Sequence, residues 1–339
     1  KTEYLSGTIP GTFTSEQFSL YMKVKPTLLL TQASANVTDS LTYYYTDGLS
    51  VLAYSENGWT DGSVDLTLQS GIGTNYNMRL AIAGTLSDQY GIGPSYTLDY
   101  NGPIIQELLY CDGCSGDPCA SCTPSHWYDF ATEGIEAVHV IGLFFTGSNS
   151  EFATIGDGNV LYGPGYNPTC TEVDPPTSLP STIMYQGETV SLNALRCIME
   201  EGVGANHTWS VTVGEQTSAA SMDQNTTSYK SPNITLMFED DWPFPTTAGG
   251  DPVTIEGENF GPISLPSGYR TIVAYYGQEK QFDANTLFHT EYYSCEVTVA
   301  HSQMVCNVGE GTGVNHSWVL TINNQTSNRY DAYSSYSPP

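Results

Sequence analysis

GVGANHTWSVTVGEQTS, residues Gly202–Ser218, decides the reading of this chain because the segment occurs three times. Gly71–Ser87 reads GIGTNYNMRLAIAGTLS, and Gly311–Ser327 reads GTGVNHSWVLTINNQTS. All copies are 17 residues long without gaps, and each holds Gly, Gly, Asn and Ser at the same four places. Their starts lie 131 (202 − 71) and 109 (311 − 202) residues apart, the spacing of immunoglobulin-sized domains rather than of solenoid coils. The paired glycines predict a turn with unusual backbone angles. A strand of period two follows. His207, Trp209, Val211 and Val213 point one way, as do His316, Trp318, Leu320 and Ile322. The tryptophans are expected in a sandwich core. Because His207 and His316 repeat one position, they are read as packing residues and not as metal ligands.

The rest of the chain agrees with an all-β reading. Charged residues are few, Thr, Tyr, Ser, Asn and Gly are abundant, and short alternating runs such as Glu296–Val299 recur between turn residues. No amphipathic helix of three turns is found. With 339 residues the chain is long enough for two or three domains. The repeat divides it into 1–101, a divergent sandwich; 102–230, with a Cys-rich insert; 231–329; and a tail, 330–339, that looks like the start of another domain. Its model is Thr227–Ile234, which opens a domain after the second copy. Apolar runs such as Val138–Phe145 are shorter than the ~20 residues of a spanning helix. With no initial Met and no signal pattern, the chain reads as a mature or partial one.

Nine Lys+Arg stand against 36 Asp+Glu, a formal net charge of −27. Nucleic-acid binding needs clustered cations, and none are clustered here. Anionic lipid is disfavoured for the same reason. The eight cysteines are Cys111, Cys114, Cys119, Cys122, Cys170, Cys197, Cys295 and Cys306. A two-residue turn at Ala300–His301 would set Val299 against Ser302, Val297 against Met304 and Cys295 against Cys306. Directly opposed strand residues lie within disulfide reach, so that bond is expected. Cys170–Cys197 looks like the same pair with a longer insertion. Only four residues separate the CxxC pairs of Cys111–Cys122, too few for a zinc ribbon, so two local disulfides are the simpler expectation. Sequons at Asn36, Asn206, Asn225, Asn233, Asn315 and Asn324 complete a secretory pattern, which predicts a secreted or cell-surface glycoprotein.

Gly249–Gly250–Asp–Pro–Val253–Thr–Ile255–Glu–Gly257–Glu–Asn259–Phe260–Gly261 resembles the opening of IPT/TIG domains. Cys295–Val297 and Val305–Cys306 look like that family's cysteine pair. Gly309–Gly313 sits where the family has its P-x-G-x-G turn. Ala131–Phe145 resembles the opening without the full N-F-G. The resemblance covers roughly Ser231–Ser327 and implies tandem early-set immunoglobulin sandwiches. The family also serves in receptor ectodomains, matrix proteins, accessory regions of carbohydrate enzymes and Rel-type transcription factors. Charge, cysteines and sequons exclude the nuclear branch.

No nucleophile elbow, P-loop or H-E-x-x-H occurs, and no enzyme activity or cofactor is expected. Glu239–Asp240–Asp241 reads first as a solvated charge run, with Ca²⁺ at a domain joint as the second reading. The leading expectation is a structural subunit that stacks head to tail with copies of itself in a glycosylated fibril, the tail strand completing a neighbour's sheet. Ser–Pro–Pro and Asp174–Pro180 add a weak compositional likeness to hydroxyproline-glycan wall motifs. The alternative is a receptor or adhesin ectodomain that binds a protein or glycan partner.

Overall fold

A computed structural model describes residues 2–6, 18–23, 51–54, 63–68, 76–82, 85–86, 96–112, 119, 121–145, 160–222, 224–238, 245–265, 269, 271–278 and 295–338. The chain is all-β: the described residues form strands and one 3-10 turn at Ser125–Trp127, with no α-helix. Asn36, Cys114 and Glu239–Asp241 lie outside the described residues.

Each copy of the repeat supplies the central strand of a small sheet. In the first sandwich the strands are β1 (Thr2–Ser6), β2 (Phe18–Lys23), β3 (Val51–Tyr54), β4 (Ser63–Leu68), β5 (Tyr76–Ile82), β6 (Thr85–Leu86) and β7 (Tyr96–Leu98). One sheet runs β1–β4–β3, and in the other β5 is flanked by β2, β6 and β7.

The second sandwich holds β8 (Ile104–Tyr110), β9 (Thr123–Pro124), β10 (Asp129–Phe130), β11 (Ala137–Leu143), β12 (Val160–Tyr162) and β13 (Thr169–Val173). It continues with β14 (Thr182–Tyr185), β15 (Glu188–Ser191), β16 (Asn193–Ile198), β17 (Trp209–Val213), β18 (Gln216–Thr217) and β19 (Ser228–Tyr229). The larger sheet is β13–β16–β11–β8–β9 and the smaller β12–β17–β18.

The third sandwich is β20 (Asn233–Phe238), β21 (Pro252–Glu258), β22 (Ile272–Gln278), β23 (Cys295–Val299), β24 (Gln303–Asn307), β25 (His316–Ile322), β26 (Gln325–Thr326) and β27 (Tyr330–Ser334). Its sheets are β20–β21–β24–β23 and β22–β25–β26, with β27 pairing the other end of β25 on the same edge as β26. The repeat strands β5, β17 and β25 form the same short hairpin with β6, β18 and β26, in identical register.

Burial follows the alternation. His207, Trp209, Val211 and Val213 are buried, while Thr208 is exposed between them. Trp209 stacks on Tyr162 at 4.4 Å and Trp318 on Tyr276 at 4.5 Å, the matching ring pair in the next sandwich. Indole burial withholds its N–H from water, so each must find an acceptor. Trp209 Nε1 donates to Thr227 Oγ1 at 3.0 Å, and Trp318 Nε1 to Ser334 Oγ at 2.7 Å.

Both hydroxyls come from the segment that closes each sandwich, which revises the reading of the tail. Tyr330–Ser334 pairs with β25 of its own sheet, and Tyr336 is buried, its hydroxyl donating to Gly309 O at 2.8 Å. Ser334–Ser335–Tyr336 thus matches Thr227–Ser228–Tyr229, whose tyrosine hydroxyl donates to Glu200 O at 2.6 Å. The motif ends a sandwich in both places. The tail is not a spare strand for a neighbour, because its hydroxyl is needed by its own tryptophan.

The cysteine pairs join neighbouring strands. Cys295 opposes Cys306 and Cys170 opposes Cys197, both bonded, with Cα–Cα distances of 4.1 and 4.0 Å. The hairpin carrying the first pair differs from a plain two-residue turn. A bulge between Val297 and Val299 sets Val299 against Gln303 rather than Ser302, with His301 in the left-handed region at φ 64°. In the Cys-rich insert, Cys111 bonds to Cys122, and Cys119 is also disulfide-bonded.

The incomplete opening motif of the second sandwich has the same geometry as the complete one. Phe144 takes φ 61° where Asn259 takes φ 63°. Side chains with a Cβ strain there, and phenylalanine more than asparagine. Both sites follow a glycine under the next phenylalanine. A Cβ on Gly257 would lie 2.1 Å from Asn233 O and 2.3 Å from Phe260 Cζ; on Gly142 it would lie 2.2 Å from Ile104 O and 2.3 Å from Phe145 Cζ. Gly257→Ala is therefore expected to cost about 2–3 kcal/mol by forcing β20 away from β21. Thermal unfolding should show a lower midpoint for the third sandwich, and an unchanged midpoint would contradict this packing.

Candidate functional site: an interdomain joint

The second and third sandwiches meet through turns at their ends. The glycine-rich turn that opens the second repeat copy places Val203 outside its own core. Val203 is 2% exposed and packs in the third sandwich's cluster with Ile234, Phe260 and Val308. It fits because residue 261 is glycine, at φ 81°; a Cβ there would lie 2.1 Å from Val203 Cγ1. The last residue of the N-F-G motif thus admits the neighbour. Burying a valine side chain contributes on the order of 2 kcal/mol. In return, Leu265 and Tyr269 of the third sandwich pack against the second core.

Polar groups clip this contact. Gln325, in the β25–β26 hairpin, accepts from Gly204 N at 2.9 Å and donates to Tyr229 O at 2.6 Å. His301 Nδ1 lies 2.9 Å from Thr132 Oγ1, and its Nε2 lies 3.4 Å from Glu201. Tyr269 Oη lies 3.1 Å from His207 Nδ1, whose Nε2 is 3.1 Å from Val203 O. Asn259 Nδ2 donates to Ser231 O in the linker at 3.1 Å. The glutamine clip has a counterpart one domain earlier. Gln216, at the same hairpin position in β18, donates to Tyr100 O at 2.9 Å. Tyr100 precedes the second sandwich as Tyr229 precedes the third.

Burial governs titration at the joint. Desolvation lowers the His207 pKa to about 4, with hydrogen bonds to the Val203 and Gly204 backbone opposing the shift only in part. Desolvation likewise pushes the Tyr269 hydroxyl up to about 12. The buried Tyr162 and Tyr229 hydroxyls are raised by burial as well. None of these groups is poised to transfer a proton near neutral pH, so the arrangement is suited to holding domains together.

Sequence reasoning placed His207 and Trp209 in the core and did not see that Gln325, Tyr269, Val203 and Gly261 converge. The signal available was Gln at one place in two copies of the repeat. The sequons fall differently. Asn206, Asn315 and Asn324 are exposed and Asn233 is partly so. Asn225 is occupied: its Oδ1 accepts from Leu108 N at 3.3 Å and its Nδ2 donates to Gln106 O at 3.0 Å. Asn328 clips Ile234 in the third sandwich in the same way. The ligand atoms of Cys111, Cys119 and His139 lie within 4.8 Å of one another. Both sulfurs are bound in disulfides, so neither offers a thiolate to a metal.

Residues 242–336 match the IPT/TIG domain family. The third sandwich, with its N-F-G opening and cysteine pair, is an IPT/TIG domain. No curated protein matches the chain in sequence. Among solved structures it is similar to the surface glycan-binding protein PbSGBP-B from Prevotella bryantii, at 12% identity and a TM-score of 0.35, over 69% of this chain and 43% of that one. It is also similar to the full extracellular region of plexin A4, at 11% identity and a TM-score of 0.28, over 100% of this chain and 28% of that one. The chain therefore spans less than half the length of either.

Two predictions follow from the joint. Gln325→Ala removes two bonds and strands Gly204 N and Tyr229 O, a loss of about 1–3 kcal/mol of coupling. Calorimetry should then separate the two sandwiches into distinct transitions, and one merged transition as in the parent would count against the clip. Unfolded histidine binds a proton near pH 6.5, whereas His207 stays neutral to about pH 4. The unfolded state holds more protons in between, so this group's contribution, roughly 3 kcal/mol, is present above pH 6.5 and is lost as pH falls to 4. The His207 ring shifts in NMR should stay those of neutral imidazole down to pH 5; titration near 6.5 would show an open joint.

Proposed function

We propose that this chain is an extracellular structural subunit whose sandwiches form a regular, rigid array, assembled head to tail with other copies into a glycosylated fibril. The observation that carries this reading is the repetition of one joint, Gln216 to Tyr100 O and Gln325 to Tyr229 O. A clip repeated at the same hairpin position supports a similar connection at each step, as a spacing element requires, and a non-closing head-to-tail contact propagates. The disulfides support an oxidising, extracellular setting, since such bonds do not persist in a reducing cytosol. Exposed Asn206, Asn315 and Asn324 leave the sides of the array open to glycans. Among the described residues no helix is long and apolar enough to cross a membrane.

A second reading, an adhesin or receptor ectodomain for a glycan or protein partner, has one observation in its favour. Trp127 is 76% exposed beside His126, an arrangement suited to stacking on a ligand.

Negative-stain imaging of the natively purified, unreduced protein separates the two. Sandwiches of roughly 35 Å give about 100 Å for three. Filaments with a repeat at or below that length are the expected result. Isolated short rods at high concentration would overturn the fibril and favour the ectodomain reading.

A further inference from the structure

The sequons are not equivalent once the chain is folded. Asn206 and Asn324 are exposed, and so are Thr208 and Thr326, which complete their triplets. Both asparagines sit in turns in the left-handed region, at φ 58° and 67°. Among the described residues neither carboxamide has a hydrogen-bond partner. Asn225 is the contrary case. Its carboxamide clips β8 through Leu108 N and Gln106 O. Thr227, which completes its triplet, is fully buried as the acceptor of Trp209 Nε1. A sugar on Asn225 Nδ2 would crowd the contact with β8, whereas one on Asn206 or Asn324 extends from an exposed turn.

The two open sites belong to different sandwiches and come together at one place. Gln325 Oε1 accepts from Gly204 N at 2.9 Å across the joint. Asn206 lies two residues from one end of that bond, and Asn324 lies one residue from the other. Chain length alone therefore holds their Cα atoms within roughly 20 Å of each other. The linker beside them is open to solvent at Lys230 and Ser231, with Lys230 N held by Phe130 O at 2.8 Å. Asn233, partly exposed, stands two residues beyond Ser231.

We propose that N-linked glycans on Asn206 and Asn324 form a collar over the joint between the second and third sandwiches, and that Asn225 carries none. The proposal rests on the glycoprotein part of the function proposed above and gives two of its glycans a mechanical task. At each site a bond forms between Asn Nδ2 and C1 of the first sugar. Nδ2 gives up one proton, and C1 gives up the pyrophosphate of a lipid-linked oligosaccharide donor. Each glycan is bulky, hydrated and anchored on a turn of a different sandwich. Bending the joint toward that side would press the two into one volume and order their chains, which costs conformational entropy. The same bulk keeps a protease from the linker. The glycans also shield the Gln325 bonds at the edge of the joint, and hydrogen bonds shielded from water are stronger.

The test uses the full chain secreted by a eukaryotic host. Release of the glycans by a peptide-N-glycosidase in heavy-oxygen water, followed by mass spectrometry, should yield labelled Asp at 206 and 324 and unlabelled Asn225. Thr208→Ala and Thr326→Ala abolish the two triplets and keep both asparagines in their turns. Limited trypsin digestion should then cut Lys230–Ser231 about tenfold faster or more in the double variant, because cleavage follows the population of the opened joint. The enzymatically deglycosylated parent should match the double variant. Asn315→Asp removes a triplet at the opposite end of β25 from Gln325 and should leave the rate at the parent's value. Equal rates in parent and double variant, with both sites occupied, would sink the collar and leave the glycoprotein reading intact, as would an equal acceleration by Asn315→Asp. Unlabelled residues at 206 and 324 would remove the collar together with those glycans. Filaments in negative stain report on head-to-tail assembly and not on this joint, so the two readings fail independently.

Discussion

A buried indole N–H must have an acceptor, and in this protein that requirement decides where the second and third sandwiches end. Trp209 and Trp318 lie in the core on a stacked tyrosine, and their N–H groups reach hydroxyls 18 and 16 residues further along the chain. The segments bearing those hydroxyls are thereby tied to the repeat strand, and the next two residues bring in Tyr229 or Tyr336. Each tyrosine seals the glycine turn at the sandwich's end. At Gly202 a Cβ would lie 2.8 Å from Tyr166 and Tyr229, and at Gly311 it would lie 2.5 Å from Tyr336. Closure and the end surface are consequently one construction.

The joint uses that construction without adding an element to it. The sealed turn projects Val203, exposes the Tyr229 carbonyl and leaves His207 Nδ1 facing outward, so the following sandwich finds an apolar knob, an acceptor and a ring nitrogen in fixed positions. Its own contribution is spread over Gly261, Tyr269, His301 and Gln325, which come from four separate turns and loops. The parts of this interface are anchored in two cores that each carry a disulfide. The Cys170–Cys197 and Cys295–Cys306 bonds close loops within the sheets that carry these turns, and each loop closure restricts the unfolded chain by roughly 3 kcal/mol.

The chemistry of the joint is that of holding rather than turnover. Its histidine His207 is kept neutral by burial, its tyrosine hydroxyls are kept protonated, and the His301–Glu201 contact lies at the rim. Hydrogen bonds of this kind, shielded by apolar contact, are stronger and more directional than exposed ones. Acid is the condition that opposes them, because it charges a histidine that has no room for its counterion.

What the sequence by itself determined is local and periodic. Alternation of His, Trp and aliphatic residues in two equal segments, and of Tyr76, Met78, Leu80 and Ile82 in the third, shows strands and their inward faces, since side-chain direction in a strand has period two. The Gly249–Gly261 motif and the Cys295 and Cys306 pair show which sandwich is IPT/TIG, and disulfide reach predicts Cys295–Cys306 from register alone. Tertiary structure decided the rest. A bulge shifted the hairpin turn next to that disulfide, and His301 of that turn meets Thr132 of the neighbouring sandwich. The tail at Tyr330–Tyr336 looks like a beginning when only its resemblance to Thr227–Tyr229 is seen; which sheet it joins depends on the partner of a buried indole. Gln325, Tyr269, Val203 and Gly261 are far apart in sequence and carry no common pattern, and they become a site only when two folded ends meet, because complementarity between surfaces is not a property of any single segment.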